Sequence, residues 1–119
     1  MKDFRNLTVW QKGHQLTLAI YKASRAFPKE ELYGLTSQIR RSGASIPANI
    51  AEGCGRNGDR ELARFLQLAM GSASEVEYHL LLARDLGIVP ERDYEQLNSE
   101  VVEVKRMLTA LIKKTRPER

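Results

Sequence analysis

Leu62-Ala63-Arg64-Phe65-Leu66-Gln67-Leu68-Ala69-Met70-Gly71-Ser72-Ala73-Ser74-Glu75-Val76-Glu77-Tyr78-His79-Leu80-Leu81-Leu82-Ala83 is the stretch that decides the fold. Leu62, Leu66, Ala69, Ala73, Val76, Leu80 and Ala83 recur in unbroken steps of four and three, the period of one face of an α-helix and not the alternation of a strand. Asp59 is placed to cap this helix, and Gly87 suits the turn that closes it.

The same spacing extends in both directions. Val9, Gly13, Leu16, Ile20, Ala23 and Phe27 form a first stripe, and Leu35, Ile39, Gly43, Ile46 and Ile50 a second. Tyr94, Leu97, Val101, Val104, Leu108 and Leu111 form the last, after Pro90 in a first helical turn, where its missing N–H costs nothing. Phe27-Pro28-Lys29, Gly53 to Gly58 and Leu86 to Pro90 punctuate the chain. Four helices with short connections predict an all-α, up-down-up-down four-helix bundle. Pro47 falls inside the second stripe, where it deletes the hydrogen bond to the Gly43 carbonyl. We expect one helix, kinked at that proline, from about Leu32 to about Glu52, with the Ser42 or Ser45 hydroxyl serving freed backbone groups. A break near Ser45 is the alternative.

The 119 residues, 42% hydrophobic and 29% charged, fit one domain, residues 1–119, with a basic C-terminal tail over about 113–119. No apolar run is long enough to span a membrane. One cysteine, Cys54, excludes an internal disulfide framework, and the absence of a secretion signal points to a cytoplasmic setting.

Helix three is apolar over more of its circumference than one bundle face requires. With Leu62 at zero, the stripe lies within about 40°, but Met70 and Leu81 fall near 80–100° and Leu68, Leu82 and Leu86 near 200–240°. Two neighbours in the same bundle would absorb part of this width, and a second subunit would cover the rest, with Phe65, Leu68, Ser72 and Leu82 as contact candidates. Gln38, Arg41, Ser45, Asn49 and Glu52 form a polar stripe on helix two, about 120° from its apolar one. Glu75, three residues beyond Ser72, is a candidate ion-pair partner for Arg41 within or between subunits; a solvated face is the plainer reading.

Chemical motifs mostly fail. Gly53-Cys54-Gly55-Arg56-Asn57-Gly58 matches G-x-G-x-x-G but follows a helix instead of a strand, so it reads as a turn, with Cys54 a small filler. Glu75 and His79 are four apart, not in the Glu-x-x-His spacing of di-iron bundles, and His14 is the other imidazole. Both histidines read as hydrogen-bonded helix-surface residues, and no metal or cofactor is expected. With no convergent acid, base and nucleophile, an enzyme is not expected either.

Charge is informative because it is uneven. Residues 1–58 carry nine basic and four acidic side chains, residues 59–104 four and ten, and residues 105–119 six and one. The formal net charge of +4 thus hides an acidic middle between basic ends. Arg40, Arg41, Arg56, Lys113, Lys114 and Arg116 are the candidate nucleic-acid contacts, acting electrostatically and losing affinity with salt. The aromatic interleaving of single-strand binders is missing from these clusters in the sequence. The basic residues near the fourth helix's C-terminus also complement its dipole.

Further stretches carry a resemblance. Phe4 to Lys12 (FRNLTVWQK), Phe27 to Leu35 (FPKEELYGL), Ser37 to Arg41 (SQIRR) and above all Ser45 to Gly53 (SIPANIAEG), followed by Gly71-Ser72 and Glu75, resemble the four-helix-bundle protein family associated with 23S rRNA intervening sequences. Nearly the whole chain takes part. Gly13 and Gly43 stand where the family leads us to expect alanine, and would loosen helices one and two; Cys54 stands where serine is expected. The resemblance implies a ring-like homo-oligomer, a homopentamer, similar in architecture to accessory proteins of diversity-generating retroelements. The partners it suggests are other copies of the chain and RNA, DNA or a nucleic-acid-binding protein. No catalytic activity comes with it. The leading expectation is a non-enzymatic ring binding nucleic acid or a ribonucleoprotein, and the alternative is a protein-interaction scaffold.

Overall fold

The computed structural model describes residues 3–115, which form four α-helices and no strand. They are α1 (Thr8–Ser24), α2 (Leu35–Cys54), α3 (Gly58–Asp85) and α4 (Glu91–Thr115), with single 3-10 turns at Phe4–Asn6 and Lys29–Glu31. One hydrophobic core draws on all four. Every residue of the stripes expected on α2 and α3 is buried. On α4 the stripe ends on Ile112, while Leu111 is half-buried.

Helix contacts run in opposite chain order. Gly13 approaches Ile46 while Gly43 approaches Ile20, joining α1 to α2. Ser42 reaches His79 and Gly53 meets Leu62 and Phe65, joining α2 to α3. Lys105 pairs with Glu77 at 2.7 Å and Arg84 lies over the Tyr94 ring, joining α3 to α4. The Lys12–Glu103 pair at 3.7 Å closes α1 against α4.

α2 begins at Leu35, three residues later than the expected Leu32. Glu31 is the cause: its carbonyl accepts the Gly34 N–H and its carboxylate the Leu35 N–H, each at 3.0 Å, which fixes a turn just ahead of the helix. The helix then runs without a break through Pro47 to Cys54. The Gly43 carbonyl that Pro47 leaves without its helical donor is met by the Thr17 hydroxyl of α1, 2.9 Å away. Neither serine hydroxyl is its donor: Ser42 bonds the Gln38 carbonyl of its own helix at 3.0 Å, and the side-chain donor to the Gly43 carbonyl is Thr17, not Ser45.

Gly13 and Gly43 do not loosen their helices; they bring them together. A Cβ on Gly43 would stand 2.9 Å from Cδ1 of buried Ile20, and one on Gly13 3.2 Å from Cγ2 of Ile46. Gly53 does the same between α2 and α3, where a Cβ would lie 2.9 Å from the Phe65 Cβ.

α3 starts one residue before Asp59, with Asn57 at the N-cap position, so Asp59 does not cap it. Its carboxylate, with that of Glu61, occupies the first turn, where negative charge still complements the helix dipole. The other end is a Schellman motif: Gly87 takes φ +72°, its N–H bonds the Arg84 carbonyl and the Ile88 N–H the Ala83 carbonyl, both at 2.9 Å. Pro90 sits just ahead of α4, its carbonyl accepting the Tyr94 N–H.

Candidate nucleic-acid interface

The basic residues singled out in the sequence occupy three separate places. Arg40 belongs to the junction of α1 and α2, where its Nε donates to Ser24 Oγ at 2.7 Å and its guanidinium lies over the Tyr21 ring, 4.9 Å from the centroid. Arg41 follows it, exposed. These two line a shallow cleft of about 410 Å³ with Tyr21, Leu32, Tyr33, Thr36 and Ser37, and no acidic residue lines it. Tyr33 is 93% exposed. The cleft therefore joins aromatic and cationic side chains that lie up to 20 positions apart in the chain. Tyr21 and Tyr33 were not legible as site residues, because they come from different elements and no local pattern links either to Arg40.

Arg56 is the second, with Arg64 beside it on the Phe65 ring, and there the charge is already committed. Arg56 pairs with Glu52 at 2.9 Å and Arg64 with Glu61 at 3.3 Å, and their guanidinium carbons lie 5.0 and 4.5 Å from the centroid of the Phe65 ring. The Arg64 bond holds the Glu61 carboxyl below its ordinary range. The third cluster comprises Lys113 and Lys114 in the last turn of α4, with Lys114 lining a groove beside Leu7, Thr8 and Val9. Arg116 lies outside the described residues. Among the described residues, Arg40, Arg41, Lys113 and Lys114 form no ion pair with a carboxylate, unlike Arg56 and Arg64.

The polar stripe of α2 faces outward. Gln38, Arg41 and Glu52 are exposed, Ser45 and Asn49 half-buried, and the Asn49 amide donates to the Ser45 carbonyl at 2.8 Å. Arg41 and Glu75 are both exposed and form no ion pair within the described residues. Of the contact candidates on α3, Leu68 is 46% exposed, Ser72 is half-buried, Leu82 packs partly on the core, and Phe65 is buried in the chain itself against Gly53. Exposed Tyr78 and Leu86 extend the Leu68 face.

His79 is not a surface residue. It is buried, its Nδ1 lies 3.3 Å from Ser42 Oγ, and burial pushes its pKa below the ordinary value, with the Glu75 carboxylate opposing the shift. His14 stacks on Trp10, ring centroids 5.0 Å apart. Cys54 is buried at the end of α2. Among the described residues no three His, Cys, Asp or Glu side chains gather as a metal site would need, and no helix is long and apolar enough to cross a membrane.

Known proteins share this architecture. Residues 5–110 match the family described as 23S rRNA-intervening sequence protein. Among solved structures, the chain is similar to a protein with unknown function from the S23 ribosomal protein family of Bacteroides thetaiotaomicron, with 28% identity over 89% of this chain and 99% of that one and a TM-score of 0.81. No curated protein matches. Lys113, Lys114 and Arg116 fall beyond the matched residues, whereas Arg40, Arg41 and the Tyr33 cleft lie within them.

Proposed function

The chain belongs to the 23S rRNA-intervening sequence protein family, and we propose that it is a non-enzymatic, oligomeric four-helix protein that binds nucleic acid or a ribonucleoprotein in the cytoplasm through basic surfaces. One observation carries the reading: Arg40, Arg41, Lys113 and Lys114 make no ion pair with the chain's own carboxylates among the described residues, although Arg56 and Arg64 do. Cations left unneutralised are what phosphate contacts require, since each one displaces counterions from the nucleic acid.

The finer architecture belongs to the same proposal. Opposite contact order between α1 and α2, α2 and α3, and α3 and α4 supports an up-down-up-down bundle. A bend of α2 is proposed at Pro47. Exposed Leu68, Tyr78 and Leu86 on one side of α3 support a homo-oligomeric ring, the homopentamer of the proposal. The same exposed side chains favour the second reading, a scaffold whose ligand is another protein.

Gel-shift titration with structured rRNA fragments at rising salt tests the first reading. Binding should fall steeply with salt and weaken on charge reversal at Arg41, Lys113 and Lys114. No binding at low salt, or indifference to those reversals, refutes it. Capture of a protein from nuclease-treated lysate, with no such shift, supports the scaffold.

A further inference from the structure

We propose that the cleft between α1 and α2 is a stacking site for unpaired nucleotides, so that the nucleic acid recognised is single-stranded. The inference rests on the nucleic-acid reading above and narrows it to a substrate class.

Three observations converge. Tyr33 presents almost its whole surface to solvent, at 93% exposure, on a turn that is not loose. The Gly34 N–H is tied to the Glu31 carbonyl and the Leu35 N–H to the Glu31 carboxylate. The aromatic ring is therefore carried on a hydrogen-bonded support in which the Glu31 carboxylate is engaged by a backbone donor, and neither Glu30 nor Glu31 lines the cleft. Second, the Arg40 guanidinium is held over the Tyr21 ring by Ser24 and, at 3.5 Å, by the Tyr21 carbonyl. This fixes a cationic plane and an aromatic plane as one wall of the cleft before any ligand arrives. Third, Arg41 lines the same cleft with no carboxylate partner among the described residues, and Thr36 and Ser37 add hydroxyls.

A ligand suited to these walls has a flat face for Tyr33 and for the outer side of the Arg40 guanidinium, which itself covers Tyr21, and a phosphate for Arg41. Bases inside a duplex have their faces covered by their neighbours, so the stacking part of the site is open only to unpaired ones. Because every base has such a face, recognition here is tolerant of sequence. The arginine arrangement also explains why the linear sequence shows no aromatic interleaving: Tyr21 and Tyr33 reach Arg40 and Arg41 only through the fold.

The test is fluorescence anisotropy of the full chain with labelled 12-nucleotide single-stranded RNA and DNA and with the matching duplex, all at one low salt concentration. Single strands should bind, and Tyr33→Ala should weaken them at least about fivefold, the lower end of what one lost base–aromatic stack costs. The same substitution should leave duplex binding and the salt dependence unchanged, while Tyr33→Phe should restore single-strand binding. Tyr33 stands outside the core, so the helical circular dichroism of Tyr33→Ala should match that of the parent chain. RNA and DNA arms report which backbone is preferred; loss through Tyr33→Ala in either supports the site. If single strands bind equally well with and without Tyr33, while Lys113→Glu/Lys114→Glu weakens them, the stacking site is refuted and the broader nucleic-acid reading survives. If no oligonucleotide binds at all, both fall.

Discussion

The Thr17 hydroxyl of α1 lies 2.9 Å from the carbonyl of Gly43 on α2 and 3.0 Å from the carbonyl of Gly13 on its own helix. Its single proton is shared between a helical acceptor and the one carbonyl that Pro47 deprives of a donor. The pair shows how a proline is carried on the buried face in the middle of a helix. The adjacent glycines let α1 approach closely enough for a short side chain to reach across.

Thr17→Val keeps the shape and removes the hydroxyl, so it should cost about 1–3 kcal/mol, the usual penalty for a buried polar group left unpaired. In a Pro47→Ala background the backbone N–H regained at that position supplies the missing donor, and the cost of Thr17→Val should shrink. Urea unfolding of the four variants measures the coupling. Equal costs in the two backgrounds would disprove the link between Thr17 and Pro47.

Gly53→Ala should destabilise by about 1–3 kcal/mol, because the new methyl meets the Cβ of Phe65, which cannot swing away, as well as Leu62. Gly71→Ala, with nothing within 4 Å of its Cβ, should instead stabilise by about 0.5–1 kcal/mol through helix propensity. Thermal unfolding of the two variants should move in opposite directions.

Stability should fall between about pH 7.5 and 5.5, a window spanning the ordinary histidine pKa. The pKa of His79 is depressed in the folded chain by burial, so the unfolded state takes up its proton first, near the ordinary value of about 6.5. Where the unfolded state binds more protons, stability rises with pH; the loss therefore begins as pH drops through about 6.5 and continues down to the folded-state pKa. His79→Gln should flatten this dependence, whatever it does to absolute stability. A parent chain whose urea midpoint is the same at both ends of that window would contradict the burial effect.

Leu68→Glu tests assembly. Leu68 is 46% exposed and should be replaceable without unfolding the chain. Native mass spectrometry should show a discrete ring for the parent chain and smaller species for the variant. A parent that stays monomeric at micromolar concentration would count against the ring.

Much of the fold was legible because helical period is a local property. Leu62 through Ala83 on α3 and Leu35 through Ile50 on α2 carry stripes that are buried as their spacing predicts. What escaped depends on residues distant in sequence. Thr17 and Gly43 are 26 positions apart, so nothing near Pro47 could reveal the donor. Phe65 and His79 looked like surface positions on α3 until α2 lay against them, brought close by Gly53 and hydrogen-bonded through Ser42. The delayed start of α2 came from the Glu31 carboxylate, which competes for the first N–H of the helix. At the candidate interface the arginines were legible as charge, but charge alone did not distinguish Arg56, paired with Glu52, from Arg41, which has no such partner among the described residues. Of the tyrosines of the cleft, Tyr33 stood inside the Phe27–Leu35 stretch of the resemblance and Tyr21 in none, and neither carried a local sign of meeting Arg40.

The placement of the cationic clusters also sets a length. Arg40 lies against the last turn of α1 and Lys114 beside its first, so the two are separated by the span of a 17-residue helix, about 25 Å. On the nucleic-acid reading proposed above, an unpaired strand touching both would have to extend along the bundle by that distance, about seven nucleotides at the stacked spacing of about 3.4 Å and fewer if the strand is stretched. On that reading, oligonucleotides shorter than this should engage one end at a time and release the counterions of one cluster. Longer ones should release those of both, so that the slope of affinity against salt steps upward as the ligand outgrows the helix and α1 acts as a ruler for the minimum footprint.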